Sequence, residues 1–170
     1  MLRSDIIDPT VAAHNGRVFK RTGDGALIEF RSVVDAVRCA IAVQNAMVER
    51  FSAVPLDRRI VFRIGIHLGD VVEESDGDLM GDGVNIAARL EGIAEPGAIC
   101  LSEDAYRQVK GRLDLAVSDL GPTVHDGSRR LSPIRPRDRF RDQCVSVPLC
   151  TTAWKSVPSA APRSLSSAAS

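Results

Sequence analysis

The sequence lacks any run approaching the ~18 to 20 apolar residues that a membrane span requires, which excludes a transmembrane segment of ordinary length. Its start, Met1 to Pro9, has no apolar stretch of signal-peptide length, so a soluble, cytoplasmic protein is expected. Cysteine is scarce, at 4 residues, and shows no metal-ligand spacing. Cys39 and Cys100 sit among apolar neighbours while Cys144 and Cys150 lie near the C-terminus, a scatter that fits reduced thiols better than disulfides. His14, His67 and His125 have no companion ligands at useful spacing, which argues against metal or general-base roles for them. Net charge is also absent, but the zero hides an asymmetry. Residues 1–120 carry 14 Lys/Arg against 19 Asp/Glu, and residues 121–170 carry 8 against 3. The last stretch holds six of the nine prolines, lacks Glu and shows neither a strand nor a helix period, so it is expected to be a mostly disordered tail.

What is present is one domain's worth of patterned sequence, residues 1–120, since 170 residues with 44% hydrophobic content can bury a core. A short helix is expected from Pro9 to His14, followed by strands at Arg17 to Arg21 and Ala26 to Phe30. Asp24-Gly25 between them is a strong hairpin signal. Ser32 with Asp35 resembles a capping box, and Val33, Val37, Ala40, Ile41, Gln44 and Met47 or Val48 mark a helix to about Arg50. Ile60 to Val72 alternates as a long strand, with Ile60, Phe62, Ile64, Ile66 and Leu68 on one face, and a turn at Ser75 to Asp82 follows. Val84, Ala87, Ala88, Leu90 and Ile93 recur at helical spacing, and Asn85 and Arg89 share the other face near that helix's positive end. Ala98 to Leu101 reads as a strand, Ser102 to Val109 as a helix, and Leu113 to Leu120 as a last strand. The order suggests an α+β fold with helices packed on one sheet.

Singly, the polar residues have plain explanations. Asp24 suits a turn, Lys20 and Arg21 suit a solvated hairpin edge, and Asn85 and Arg89 suit an exposed helix face. A calcium loop at Asp76, Asp78 and Asp82 fails, because Met80 takes a ligand position and Ala87 stands where the bidentate Glu belongs.

Together, FKRTGDGALIEF (Phe19 to Phe30) and FRIGIHLGD with DLMGDGVNIAARLE (Phe62 to Glu91) resemble the catalytic core of class III adenylate and guanylate cyclases, over roughly residues 10–120. The resemblance implies a ferredoxin-like nucleotide cyclase fold with a βαββαβ core, acting as a homodimer or with another cyclase domain, and active sites between the two partners. It implies conversion of ATP to 3′,5′-cyclic AMP and pyrophosphate with two divalent ions, Mg²⁺ or Mn²⁺. Carried over by position, Asp24 matches a metal-binding aspartate and Arg63 the arginine that contacts the triphosphate. Lys20 and Asp78 match the residues that read adenine, and Asn85 and Arg89 those that stabilise the transition state. Asp24 and Arg63 of one chain would then serve the nucleotide bound by Lys20, Asp78, Asn85 and Arg89 of the other.

Two departures qualify the resemblance. The family's first metal aspartate lies on a central strand well upstream of the TGDG turn, whereas 23 residues precede Asp24, so an N-terminally incomplete core with exposed strand edges and little cyclase activity is expected. Beyond Gly121 the resemblance stops, and no lysine occurs there before Lys155. A cyclase-derived module that binds nucleotide or dimerises without turnover is the alternative. A DNA-binding role for the basic tail is not expected, because its charges are scattered among prolines and its aromatics, Phe140 and Trp154, lie far apart.

Overall fold

The hydroxyl of Ser32 accepts a hydrogen bond from the Asp35 amide at 3.4 Å and starts helix α2 (Val33–Arg50) where the sequence places a cap. The structure is a computed structural model that describes residues 3–55, 58–69, 72–73, 79–80, 82–122, 129–132 and 150–158. The apolar stripe of α2 is buried at Val33, Val37, Ala40, Ile41 and Met47, while Val48 is 57% exposed, which settles the face at Met47. The stripe packs on Ile28, Phe30, Phe62, Ile64 and Ile66, and burial of each large side chain contributes about 1.5–3 kcal/mol. Gln44 is buried within this core with its amide satisfied, donating to the Phe62 carbonyl at 2.9 Å.

A turn of π-helix at Arg3–Ile7 leads into α1 (Asp8–Ala13). Then come β1 (Gly16–Thr22), β2 (Gly25–Phe30), α2, β3 (Ile60–Leu68) and the two-residue strands β4 (Val72–Glu73) and β5 (Leu79–Met80). The chain continues through α3 (Asp82–Ile93), β6 (Ile99–Ser102), α4 (Glu103–Val109), β7 (Ser118–Pro122), β8 (Arg129–Ser132) and β9 (Cys150–Pro158). The main sheet has the order β1-β2-β9-β3-β6-β8-β7, with β3 and β6 parallel and joined through α3. On β3, Phe62, Ile64 and Ile66 enter the α2 core. Alternation puts Gly65 on the opposite side, where an added Cβ would lie 2.3 Å from the Ala87 carbonyl oxygen and 2.4 Å from the Glu91 nitrogen. Glycine therefore lets α3 seat directly on the strand, above a small second cluster of Leu90, Ala94 and Cys100.

The α+β architecture agrees with the expectation from sequence, but several boundaries move. The long strand stops at Leu68, where its ladder with β9 ends, and residues 72–73 pair separately with 79–80. The last expected strand begins at Ser118 and not at Leu113, because Gly111 at φ +83° turns the chain after α4 and Leu113 forms only an isolated bridge to Lys110. The two-residue hairpin loop is Gly23-Asp24, one residue earlier than Asp24-Gly25. Thr22 pairs with Gly25, and Gly23 takes the positive φ of +52°.

The largest correction concerns the tail. Residues 129–132 and 150–158 are strands of the main sheet, and β9 lies at its centre, pairing with β2 through six residues and with β3 through nine. Exposed strand edges were expected, and β9 covers those of β2 and β3. A two-sided backbone ladder stabilises β9 without any periodic sequence signal. Its own proline, Pro158, is the terminal residue, where a missing N–H does least harm. Residues 123–128, 133–149 and 159–170 of the tail lie outside the described residues.

Candidate functional site

Asp24 is exposed at the tip of the β1–β2 hairpin. It borders a cleft of about 10 Å³, room for one water at most, shared with Asp8, Val18, Arg21 and Phe62. Within that cleft Arg21 Nη2 donates to both carboxylate oxygens of Asp8, at 3.1 and 3.0 Å. Both side chains are more than a third exposed, so the pair contributes at most about 1 kcal/mol. Sequence reasoning missed it, since nothing local ties Asp8 to a strand residue across the turn. Lys20 is exposed on edge strand β1, next to a bulge. Val18 faces Ile28 and Lys20 faces Leu27, which leaves Phe19 as the extra residue and re-aims the segment that follows.

Arg63 sits on β3, on the Gly65 side of the sheet that α3 covers. Its Nε is buried and has no hydrogen-bond partner among the described residues. A buried charged donor left unsatisfied costs about 1–3 kcal/mol or more, which a water or an anion would relieve. On β9, Lys155 is register partner to both Gly25 and Arg63, so the backbone positions of Gly25 and Arg63 lie about 10 Å apart, two strand spacings.

Asn85 and Arg89 lie one turn apart on α3 and are exposed, while Gly83, Ala87 and Leu90 on the opposite face are buried. Asn85 is in the first turn, within the positive field of the helix N-terminus. Asp78 lies outside the described residues, in the segment between β4 and β5. Within one chain the described candidates therefore occupy three places: the β1–β2 hairpin, the middle of the sheet and the outer face of α3. The cleft beside Asp24 is lined by none of the others. A larger cleft of about 410 Å³, between the end of α1 and α2, is lined by His14, Asn15, Asp35 and Arg38 among others, and contains no candidate.

Among the described residues there is no group of three or more His, Cys, Asp or Glu side chains able to hold a metal ion. Asp24 is the one described carboxylate to which the resemblance gives a metal role, and by itself it does not make a two-ion site. Among the described residues no helix is long and apolar enough to cross a membrane.

The family model of the adenylate and guanylate cyclase catalytic domain matches residues 6–132. A putative adenylate cyclase 3 of Rhizobium meliloti (strain 1021) is 46% identical over 143 residues, covering 81% of this chain and 24% of that protein. The chain thus spans about a quarter of that relative's length. Among solved structures, an adenylate/guanylate cyclase/hydrolase from Silicibacter pomeroyi is 42% identical with a TM-score of 0.74, over 79% of this chain and 81% of the other. The adenylyl cyclase CyaB from P. aeruginosa shares the fold at 20% identity, with a TM-score of 0.66 over 83% and 84% of the two chains.

Proposed function

Because the chain belongs to the family of adenylate and guanylate cyclase catalytic domains, we propose that it acts on ATP, closing the ribose onto the α-phosphate to give 3′,5′-cyclic AMP and pyrophosphate. In this reaction the 3′-oxygen forms a bond to the α-phosphorus, the bond from that phosphorus to the bridging oxygen breaks, and pyrophosphate carries the electron pair away. The 3′-hydroxyl proton passes to solvent or to a phosphate oxygen. Arg63 binds the triphosphate, which satisfies its buried Nε. Asn85 orients the ribose, and Arg89 stabilises the charge that builds on the phosphate under attack. Lys20 donates to the unprotonated N1 of adenine and Asp78 accepts from the 6-amino group. Guanine presents the reverse pattern at that edge, and this favours ATP. Divalent ions, which class III cyclases generally use, would neutralise the phosphates. Asp24 is the residue of this chain offered to one of them, and the described carboxylates do not fit a second.

The family resemblance supports a site shared between two copies, with Asp24 and Arg63 from one and Lys20, Asp78, Asn85 and Arg89 from the other. The observation that carries the reading is the exposed Asn85 and Arg89 pair on α3, in a chain of this family. That Asp24 alone carries a metal role in the family resemblance favours a second reading, a module that binds nucleotide or dimerises without turnover.

Mass detection of cyclic nucleotides after incubation with Mn²⁺ and ATP or GTP is the test. Slow formation of cyclic AMP, none of cyclic GMP, and a further fall of about 100-fold or more in Arg89→Ala are expected. Equal use of GTP, or a rate untouched by Arg89→Ala, would overturn the assignment. Nucleotide binding without product would favour the second reading.

A further inference from the structure

β2 and β3 share no register partner with each other among the described residues; each is paired along its whole length with β9 instead. β1 is an edge strand whose one neighbour is β2, so the hairpin that carries Lys20 and Asp24 joins the rest of the sheet through β9. The fit is complete. Nine residues of β9 cover all nine of β3, from Ile60 opposite Pro158 to Leu68 opposite Cys150, and six of them cover all six of β2. One residue, Lys155, is register partner to Gly25 beside Asp24 on one side and to Arg63 on the other. Without this strand, two long unpaired edges would face each other across a gap one strand wide.

We propose that β9 is an inserted strand on which the nucleotide site depends: residues 150–158 of this same chain occupy an acceptor slot between β2 and β3, and their insertion sets the spacing of Asp24 and Arg63. The second half of this inference rests on the nucleotide-binding reading above. If a ligand requires Asp24 and Arg63 at their present separation, it binds the inserted form, and mass action then makes it hold the strand in place. The C-terminal segment becomes a point of control over the site, although it contributes a strand to the middle of the sheet and no residue carried over from the family.

Two measurements on the full chain test the two halves. Cys150 is the register partner of Leu68, and directly opposed residues of an antiparallel pair have Cα atoms at a separation a disulfide can span. In a chain with Leu68→Cys and Cys144→Ser, mild oxidation should give a bridge to Cys150 within one chain, lost on adding Cys150→Ser. A bridge found only between two chains would show that the slot is filled from a second copy and would overturn insertion in cis, as would no bridge at all. Because Leu68 packs against the core, deuterium exchange of the unaltered chain is the companion measurement. Amides of residues 151–157 should exchange as slowly as those of Ile64 and Ile66, and exchange at the rate of unstructured peptide would overturn the assignment. Adding ATP with Mn²⁺ at about ten times its measured dissociation constant should slow exchange in residues 151–157 by roughly tenfold. ATP binding seen by calorimetry without that slowing would overturn the linkage and leave the nucleotide reading intact. Absence of ATP binding would end both the nucleotide reading and the linkage, while the oxidation result still decides where β9 lies.

Discussion

Gly65 shows how much a single residue decides here. A methyl group there would stand 2.3 and 2.4 Å from backbone atoms of α3, which cannot swing aside as a side chain could. Gly65→Ala should therefore lower stability by about 2–3 kcal/mol in urea unfolding, and an unchanged midpoint would contradict the close approach of helix and strand. The alternation of β3 was legible from sequence, and Phe62, Ile64 and Ile66 do enter the core. The reason for glycine on the other side was not legible, because it depends on a helix that arrives from later in the chain. Cys39 offers a second test at this scale. Burial, with a smaller contribution from Asp35, pushes its thiol up to about 12 from an ordinary value of 9.0. Between those values the unfolded chain has lost a proton that the folded one retains, so the contribution is fully present below pH 9 and falls as pH rises, at about 1.4 kcal/mol per unit. Unfolding measured at stepwise higher pH should show a steeper loss for the wild type than for Cys39→Ala. Parallel curves would contradict the burial.

At the level of elements, the hairpin separates structure from chemistry. The TGDG turn and the cap at Ser32 could both be read from local residues, because turn and capping chemistry act over three or four positions. The loop was displaced by one residue, since Gly-Asp and Asp-Gly both suit a two-residue loop, and the pairing that chooses between them also involves the bulge at Phe19. With the positive φ at Gly23 and open space around it, Gly23→Val should cost about 1–2 kcal/mol from backbone strain. Asp24→Ala should leave the hairpin formed while abolishing metal-dependent turnover. Urea unfolding beside the cyclase assay checks both, and retained turnover in Asp24→Ala would return Asp24 to the role of a turn residue.

For the whole molecule, the helices and the local strand pairs followed from pattern, whereas the sheet order did not. β9 has no period to announce it, and its partners β2 and β3 lie far back in the chain, so only the completed ladder reveals its place. The family's motifs nominate the candidate residues. The geometry of the site was not legible, because Asp24, Arg63 and the pair Asn85 and Arg89 are placed by three different elements and, in this account, meet across two copies of the chain. The claim that joins these features is that this surface recognises ATP. Calorimetric titration of the full chain with ATP and with GTP, each with Mn²⁺, tests it most directly. ATP should bind at least about tenfold tighter than GTP, with the preference lost in Lys20→Glu. Equal affinities for the two nucleotides, or a preference that survives Lys20→Glu, would contradict it.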